Sequence, residues 1–512
     1  MTFIHGGGMT QGAASKFQTE SFVNNFANEE RNIVVVSVQY RLGALGWLNL
    51  TPDIKLSVDS NLPIRDILQA LNWVQKEISG FGGNNSLVTV MGQSAGGGFI
   101  QMIHTTGKNH GLFHQMIIMS SPFYGDATRN ENKAYSRRFV QNLGCASKEE
   151  SFEDVDAIEK ILVCVRSKTE QEILLAQSSF KDEVEVFEGA WVDDSDGVYP
   201  WSITDGLKKD LPSIPCIIGT TSGEFSDTVQ LVDPKTRKVD VALLDEICTS
   251  VGYERNYERP EEFRKICNEY YNNATRAVKF NDDSNFYHSA GVFANHFSRF
   301  GPTFVYSFEY RGSPGKHLKV RPAPGHSNDL GYLIGRYHGN FSAKDHRAEK
   351  IHSGLFANFI KTGVPSFNGT RWEGWSSDRR NYMKIDFDDD GNLHGMRDGY
   401  YSEIHDLMDV KILKAAGRRR PLPSYPKKMN AYLQPALVNT LLRANSPAAR
   451  ERKALWEAHV QELKSLFSNP LSGSGWFMIV IGSFLLIIFF YVSFKAYFEW
   501  KTRRAYEPIL EE

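Results

Sequence analysis

The apolar positions between residues 61 and 119 follow two patterns, one typical of helices and one of buried strands. Apolar residues recur at helical spacing from 61 to 78, which predicts an amphipathic helix. An apolar, β-branched run follows at 87–91, then small residues with a helical pattern, and then a second apolar run at 115–119. This order predicts a β-α-β unit with parallel strands and a right-handed crossover.

The turn between the first of these strands and its helix holds Gly92-Gln93-Ser94-Ala95-Gly96, a Gly-x-Ser-x-Gly pentapeptide. A sharp turn here lifts the Ser94 hydroxyl clear of the backbone, and the glycines are needed because a Cβ would collide with the neighbouring strand and helix. The crossover puts Ser94 at the carboxyl edge of the sheet, where open α/β sheets bind ligands. Such a pentapeptide also occurs by chance, so the strand and helix around it carry the prediction that Ser94 is a nucleophile.

A second candidate element is the opening segment His5-Gly6-Gly7-Gly8. A glycine triplet by itself is typical of a flexible loop. Together with a nucleophilic serine it indicates an oxyanion hole, in which fixed backbone N–H groups about 3 Å away stabilise a developing negative oxygen. We expect these donors to be the N–H groups of Gly7, Gly8 and Ala95.

These blocks, with several others in the same order, resemble the type-B carboxylesterase and cholinesterase family of α/β-hydrolases. The resemblance covers roughly residues 1 to 410 and implies one α/β-hydrolase domain with a mostly parallel central sheet flanked by helices. The matching blocks are His5 to Gly8, Tyr40 to Gly43, Asn61 with Asp66, Ala70-Leu71, Trp73-Val74, Phe81 to Gly83, Val88-Thr89 and Gly92 to Gly97.

The family's domain normally starts roughly a hundred residues before such a glycine loop, with a signal peptide and the first strands of the sheet. The resemblance therefore implies that this sequence lacks the usual N-terminal strands. Two explanations are open: an incomplete gene model or isoform, which we prefer, or a chain that folds with a damaged sheet edge.

The resemblance also implies a catalytic acid, which follows the serine in chain order. A core strand is predicted at 213–219, and Glu224 follows it at the family's spacing. Asp227 is a nearby competitor. Glu224 is expected to hold the imidazole of the catalytic base and to stabilise its protonated form.

The catalytic base is implied by the block 321–330, which resembles the family's histidine loop and contains His326. It follows a predicted strand at 303–310, and His338 is the nearest alternative. With Ser94 as nucleophile, His326 as base and an acyl-enzyme intermediate, the chain is expected to hydrolyse carboxylic esters without a metal or an organic cofactor.

The substrate class is less sharply defined. Gln93 stands where cholinesterases carry a glutamate beside a cationic substrate, which favours a general carboxylesterase acting on small-molecule esters. The net charge of −2 gives no reason to expect nucleic acid as a partner. Two alternatives are open: a neuroligin-like adhesion protein, which the presence of all three triad residues disfavours, and an inactive truncated fragment.

Five cysteines allow two disulfides and one free thiol. Cys145 and Cys164 resemble the family's small disulfide loop, and Cys248 and Cys267 form a second possible pair. Cys216, within a predicted core strand, is expected to be a buried free thiol. Glycosylation sequons suit a lumenal domain; they stand at Asn49, Asn84, Asn273, Asn340 and Asn368.

The composition changes after residue 410. Residues 411–475 are basic and proline-bearing and predict a stalk, with a short amphipathic helix near 455–467 that packs on the domain or on a second copy of the chain. Residues 476–494 carry no charge and would span about 28 Å as a helix, enough for a bilayer core.

Basic residues open the last segment, 495–512, and predict a cytoplasmic tail. The chain is thus expected to be a single-pass type I membrane protein with an extracellular or lumenal catalytic domain. A tail-anchored protein with a cytosolic domain is the alternative, and glycans at the sequons would separate the two.

Overall fold

The computed structural model describes residues 1–50, 61–122, 129–150, 152, 154–178, 198–199, 203–225, 231–233, 235–255, 257–312, 323–335 and 341–417. All of them belong to one compact unit, Met1–Ala444. The predicted amphipathic helix at 455–467, membrane helix at 476–494 and cytoplasmic tail lie outside the described residues. Within the described ranges, no helix is both long and apolar enough to cross a bilayer.

An eight-stranded sheet lies at the centre of this unit. The strand order is β2-β1-β3-β4-β5-β6-β7-β8, and neighbouring strands are parallel except for the antiparallel pair β7 and β8. The fold is therefore the mostly parallel α/β sheet expected from the sequence. The strands are β1 Thr2–Ile4, β2 Val36–Val38, β3 Thr89–Gln93, β4 Gln115–Met119, β5 Cys216–Thr221, β6 Thr303–Phe308, β7 Tyr382–Phe387 and β8 Leu393–Arg397.

Helices connect the strands and cover the sheet. In the described ranges the α-helices are α1 Thr19–Phe22, α2 Gly43–Trp47, α3 Leu62–Glu77, α4 Ala95–Thr105, α5 Arg129–Asn142, α6 Val155–Ser167, α7 Glu170–Ser178, α8 Ile203–Gly206, α9 Val241–Glu254, α10 Pro260–Tyr270, α11 Ala274–Ala277, α12 His288–Phe297, α13 Gly331–Ile334, α14 Ala343–Thr362, α15 Ser402–His405 and α16 Leu413–Ala416. Shorter 3₁₀ segments are Ala14–Lys16, Ile78–Phe81 and Asn328–Leu330, and π-helical segments are Val23–Ala27, Asp282–Tyr287 and Asp406–Ile412.

Both faces of the sheet are buried. In β4, Met116 and Ile118 face the core shared with α3 and α4, whereas Ile117 and Met119 face the core shared with α14. A strand covered on both sides has no polar face, which explains why the central strands read in the sequence as continuous apolar runs rather than as alternating patterns.

The predicted elements agree with the observed ones except at some strand ends. The helix expected at 61–78 is α3, and the strand expected at 115–119 is β4. The strand expected at 87–91 starts at Thr89 because Leu87 is exposed and precedes the paired segment. The strand expected at 213–219 is shifted to Cys216–Thr221, since Pro215 has no N–H to give to a neighbouring strand.

Two disulfides and one free cysteine are present. Cys145–Cys164 confirms the predicted pair, and Cys248–Cys267 joins α9 to α10 in a separate apolar cluster that also includes Leu407. Cys216 is buried in β5 and unpaired, as predicted.

The predicted glycosylation sites differ in exposure. Asn84, Asn273 and Asn368 are exposed, whereas Asn49 is only 2% exposed. A glycan needs an asparagine whose side chain reaches solvent, so we retain the prediction for the three exposed residues and not for Asn49. Asn340 lies outside the described residues.

Candidate active site

Ser94 occupies a strained turn between β3 and α4, as predicted. Its backbone adopts φ 57° and ψ −127°, a conformation that side-chain-bearing residues rarely adopt. Its N–H donates to the Met119 carbonyl at 2.8 Å, which fixes the turn against β4. A Cβ on Gly96 would overlap the carbonyl oxygen of Ile4, and one on Gly92 would overlap that of Gly96. The turn therefore requires both glycines.

Glu224 and His326 lie at the carboxyl ends of β5 and β6 and are in direct contact. His326 Nδ1 lies 2.5 Å from Glu224 Oε2, and the other carboxylate oxygen accepts a hydrogen bond from the Thr221 N–H at 2.8 Å. The Glu224 side chain is fully buried and that of His326 is 15% exposed. A buried carboxylate bonded to Nδ1 fixes the ring orientation and leaves Nε2 as the reactive nitrogen.

Two phenylalanines enclose the imidazole of His326. Phe225 stacks on it with ring centroids 4.6 Å apart, and Phe286 meets it edge-on at 5.4 Å. The Phe225 N–H donates to Asp282 Oδ1 at 2.7 Å, which ties the loop after Glu224 to the π-helical segment that carries Phe286. The base is therefore held in a largely apolar wall.

The glycine loop follows β1 at the same edge of the sheet. Gly7 and Gly8 have φ of 127° and 59°, and the Gly7 carbonyl accepts the N–H groups of Thr10 and Gln11. Within the described residues, the N–H groups of Gly7 and Gly8 donate to no other group. They and the first N–H of α4, on Ala95, lie on the elements that flank Ser94, as an oxyanion hole requires.

Tyr40 anchors the start of this loop. Its hydroxyl donates to the His5 carbonyl at 2.7 Å, and its ring stacks on the His5 ring at 4.4 Å. The neighbouring Arg41 is bound by Asp66, with both its backbone N–H and its guanidinium donating to the carboxylate. The blocks that carry the family resemblance around residues 40 and 66 are thus structural supports of the loop.

Ser94 and His326 are not hydrogen-bonded to each other in this structure. Across the described residues, Ser94 Oγ has no hydrogen-bond partner, and His326 Nε2 lies 3.1 Å from Gln93 Nε2 instead. Catalytic hydrogen bonds are often loose without substrate and tighten when it binds. The structure therefore shows the predicted base in contact with Gln93, the residue that directly precedes the predicted nucleophile.

Asp329 adds a second buried carboxyl group behind the base. Burial, and then the negative charge of Glu224, raise its pKa from 3.8 to about 7. Its Oδ2 accepts a hydrogen bond from the Tyr306 hydroxyl at 3.0 Å. Asp329 therefore binds a proton across much of the acid to neutral range while Glu224 faces His326.

The competing residues Asp227 and His338 lie outside the described residues, so the structure compares neither with Glu224 or His326. Sequence reasoning did not assign Gln93, Phe225 or Phe286 to the environment of the base. For Phe225 the available signal was its position directly after Glu224. For Gln93 and Phe286 the contact depends on the tertiary structure.

One group of described side chains has ligand atoms close enough to hold a metal ion: His288, His405 and Asp409, within 4.8 Å of one another. Asp409 accepts hydrogen bonds from His288 Nε2 at 2.7 Å and from His405 Nδ1 at 3.0 Å. Burial opposes ionisation of Asp409, but these two bonds hold its pKa well below the usual range.

Metal binding through His405 Nδ1 would move the ring proton to Nε2. That atom is buried and has no hydrogen-bond partner among the residues described, so the proton would be left unsatisfied. The three side chains therefore suit a hydrogen-bonded cluster that fastens α15 and the following π-helical segment to α12, and we assign no metal to them.

Comparison with known proteins agrees with the fold and identifies the family. A model of the carboxylesterase family matches residues 1–404. The pyrethroid hydrolase Ces2a of Mus musculus is 28% identical over 410 residues, which cover 75% of this chain and 68% of that protein. The esterase cest-33 of Caenorhabditis elegans is 27% identical over 401 residues, covering 73% and 68%.

Among solved structures, the juvenile hormone esterase from Manduca sexta, with OTFP covalently attached, superposes with a TM-score of 0.65. The two chains share 22% identity, and the match covers 80% of this chain and 79% of that one. At this identity the likeness establishes the α/β-hydrolase fold. With the family match over residues 1–404, it confirms the predicted family: the chain belongs to the carboxylesterase family and is an ester-hydrolysing enzyme of the α/β-hydrolase fold.

Proposed function

We propose that the chain hydrolyses small carboxylic esters through a Ser94–His326–Glu224 triad and an acyl-enzyme intermediate. The observation that carries the proposal is the contact of the buried Glu224 carboxylate with His326 Nδ1, which leaves Nε2 directed at the elbow that bears Ser94. The three residues come from three separate strand ends, and only this carboxyl edge of the sheet unites them.

The reaction proceeds by two displacements at the ester carbonyl. Ser94 Oγ bonds to the carbonyl carbon as its proton passes to His326 Nε2, and Glu224 stabilises the resulting imidazolium. The N–H groups of Gly7, Gly8 and Ala95 donate to the carbonyl oxygen as it becomes negative. The bond to the leaving oxygen then breaks, and that oxygen takes the proton from Nε2.

Water completes the cycle. It attacks the acyl carbon as Nε2 takes one of its protons, and the acid product leaves as the proton returns to Ser94 Oγ. The leaving alcohol carries away the proton that Ser94 passed to His326, and the attacking water replaces it. Ser94 and His326 therefore end the cycle in their starting protonation states.

The substrate class follows from the polarity of the site. Gln93 contributes a neutral amide beside the base, and Phe225 and Phe286 contribute apolar surface. This supports neutral esters rather than esters with a cationic group, which a carboxylate at position 93 would favour.

The test is labelling by a fluorophosphonate, which reacts only with an activated serine. The full chain, expressed in secretory-pathway membranes, is expected to be labelled, and Ser94→Ala is expected to remove the label completely. Ser120→Ala is a matched control, because Ser120, like Ser94, directly follows a strand and has a positive φ, but it is buried whereas Ser94 is partly exposed. A folded chain without labelling would reject the triad and favour the adhesion or inactive-fragment alternatives.

We further propose that residues 476–494 anchor the chain in a membrane, with the catalytic domain on the extracellular or lumenal side. The disulfides Cys145–Cys164 and Cys248–Cys267 support this orientation, because disulfides persist in oxidising compartments. The basic residues after 494 support a cytosolic tail.

Glycosidase treatment of membrane-bound protein tests this orientation. We expect a loss of mass that is reduced when Asn84, Asn273 or Asn368 is replaced by Gln and that is unchanged by Asn49→Gln, since Asn49 is buried. A C-terminal epitope should be digested by protease added from the cytosolic side. Protein without glycans and with a protected epitope would contradict the type I orientation.

A further inference from the structure

The side chain of Gln93, the last residue of β3 before Ser94, contacts the base. It is fully buried, and its Nε2 lies 3.1 Å from His326 Nε2. Its Oε1 is also buried and has no hydrogen-bond partner among the described residues. The contact with His326 is therefore the one side-chain hydrogen bond that the described structure gives to this buried amide.

The protonation of His326 fixes which amide atom faces it. The Glu224 carboxylate accepts at Nδ1, so a neutral imidazole carries its proton there and presents a bare lone pair at Nε2. A carbonyl oxygen facing that lone pair would be repelled. The amide N–H must therefore face Nε2, which leaves Oε1 unpartnered, as observed.

We propose that Gln93 is a positioning residue that holds His326 Nε2 as a hydrogen-bond acceptor, aimed at the elbow, until substrate brings the Ser94 hydroxyl into its place. The proposal rests on the proposed triad. Ser94 Oγ, without a partner across the described chain, and Gln93 Nε2 are alternative donors to the same nitrogen, and they belong to adjacent residues.

The Gln93 amide is also suited to the next step of the reaction, in which His326 carries the Ser94 proton on Nε2. Once Nε2 has taken the Ser94 proton it is a donor, and an N–H facing it would be repelled. Rotation about the last side-chain bond of Gln93 replaces this N–H by Oε1, which accepts from Nε2–H. A carboxylate at position 93 would instead favour the protonated imidazole at all times, and an apolar side chain would offer neither interaction.

The first experiment is ¹⁵N NMR of histidine-labelled protein in a Ser94→Ala background, where Gln93 is the remaining donor to His326 Nε2. His326→Asn identifies the resonance. We expect Gln93→Met to move the unprotonated Nε2 resonance downfield, because the nitrogen loses its hydrogen bond. Gln101→Met is the matched control, since Gln101 is also buried but bonds to Ser121. An unchanged resonance in folded Gln93→Met would overturn the proposal.

The second experiment uses Gln93→Glu, which keeps the shape of the side chain and remains informative if Gln93→Met does not fold. In the Ser94→Ala background, we expect the pH midpoint of the Nε2 resonance to rise by about one unit or more, because a carboxylate beside the ring favours its protonated form. A midpoint unmoved by Gln93→Glu would also overturn the proposal.

A kinetic readout separates this inference from the proposed function. With Ser94 present, the pH of half-maximal fluorophosphonate labelling should be higher in Gln93→Glu than in the wild type, because the carboxylate favours the protonated imidazole. A merely structural role would lower labelling at every pH and leave this midpoint in place. Absence of labelling in the wild type would reject the proposed triad, whereas the resonance measurements would still decide whether Gln93 binds His326.

Discussion

Glu224 and His326 are joined by two hydrogen bonds of different kinds. The His326 backbone N–H donates to the Glu224 carbonyl at 2.9 Å, and the His326 ring nitrogen Nδ1 lies 2.5 Å from Glu224 Oε2. The first bond holds the two loops together, and the second sets the rotation of the ring. The two bonds therefore hold the base in position, although His326 lies 18 residues beyond the last residue of β6.

Replacing Glu224 by Gln should keep the backbone hydrogen bond to His326 and alter only the side-chain hydrogen bond. The backbone bond persists, but an amide can donate to Nδ1 and so stabilise the wrong tautomer of His326. We expect kcat for a small neutral ester to fall by about 10³- to 10⁴-fold with little change in KM. Glu261→Gln, on the exposed surface of α10, is the control. A loss of kcat smaller than tenfold would remove Glu224 from the triad.

Gly96, two residues after the nucleophile in the chain, should tolerate no side chain. In Gly96→Ala the added methyl group overlaps the Ile4 carbonyl oxygen, so β1 or α4 must shift. We expect the free energy of unfolding to fall by about 3 kcal/mol or more. In Gly80→Ala the methyl group meets nothing within 4 Å, and we expect a change of about 0.5 kcal/mol or less. Urea unfolding measures both, and equal stabilities would contradict the tight turn.

Asp329 should make the fold less stable as the pH rises. Its pKa is raised to about 7 by burial and by Glu224, so between pH 4 and 7 the folded state binds a proton that the unfolded state has lost. The free energy of unfolding from this group therefore decreases across that range and is lowest above pH 7.

Asp329→Asn removes this charge and keeps an oxygen for the Tyr306 hydroxyl. We expect it to be more stable than the wild type at pH 8 and nearly equal at pH 4, as measured by urea unfolding. Asp378→Asn, at an exposed position, should show neither effect. A variant whose stability relative to the wild type is the same at both pH values would contradict the raised pKa.

His352 should make the fold less stable as the pH falls, the opposite of the pH dependence expected from Asp329. It is fully buried on α14, stacked on Phe308, and both ring nitrogens are unpartnered within the described residues. Burial lowers its pKa to about 3. Between pH 6.5 and 3 the unfolded state binds a proton that the folded state does not, so stability from this group is lost as the pH falls.

His352→Phe should therefore be less sensitive to acid than the wild type, because Phe fits the same aromatic environment and does not titrate. The readout is the urea midpoint at pH 7 and at pH 4.5. His346→Phe is a control on the exposed side of the same helix. If the urea midpoint falls by the same amount between pH 7 and pH 4.5 in His352→Phe and in the wild type, His352 does not titrate in this way.

The sequence by itself determined the local part of the site. The strand, turn and helix around Ser94 follow from an apolar run, two glycines and a helical pattern within a few residues, and each reports local geometry. Glu224 and His326 were found because their loops resemble those of a known family, at the ends of recognisable strands. The second disulfide, Cys248–Cys267, was left open because spacing does not show which helices are neighbours.

The tertiary structure decided which strand ends meet. β1 inserts between β2 and β3, and this order brings the Gly7 loop beside the Ser94 turn. The same arrangement places Gln93 against His326, 233 residues away in the chain. Periodicity reports which face of an element is buried, but not which element covers it. That choice depends on the packing of the whole sheet, and it determines which groups surround the base.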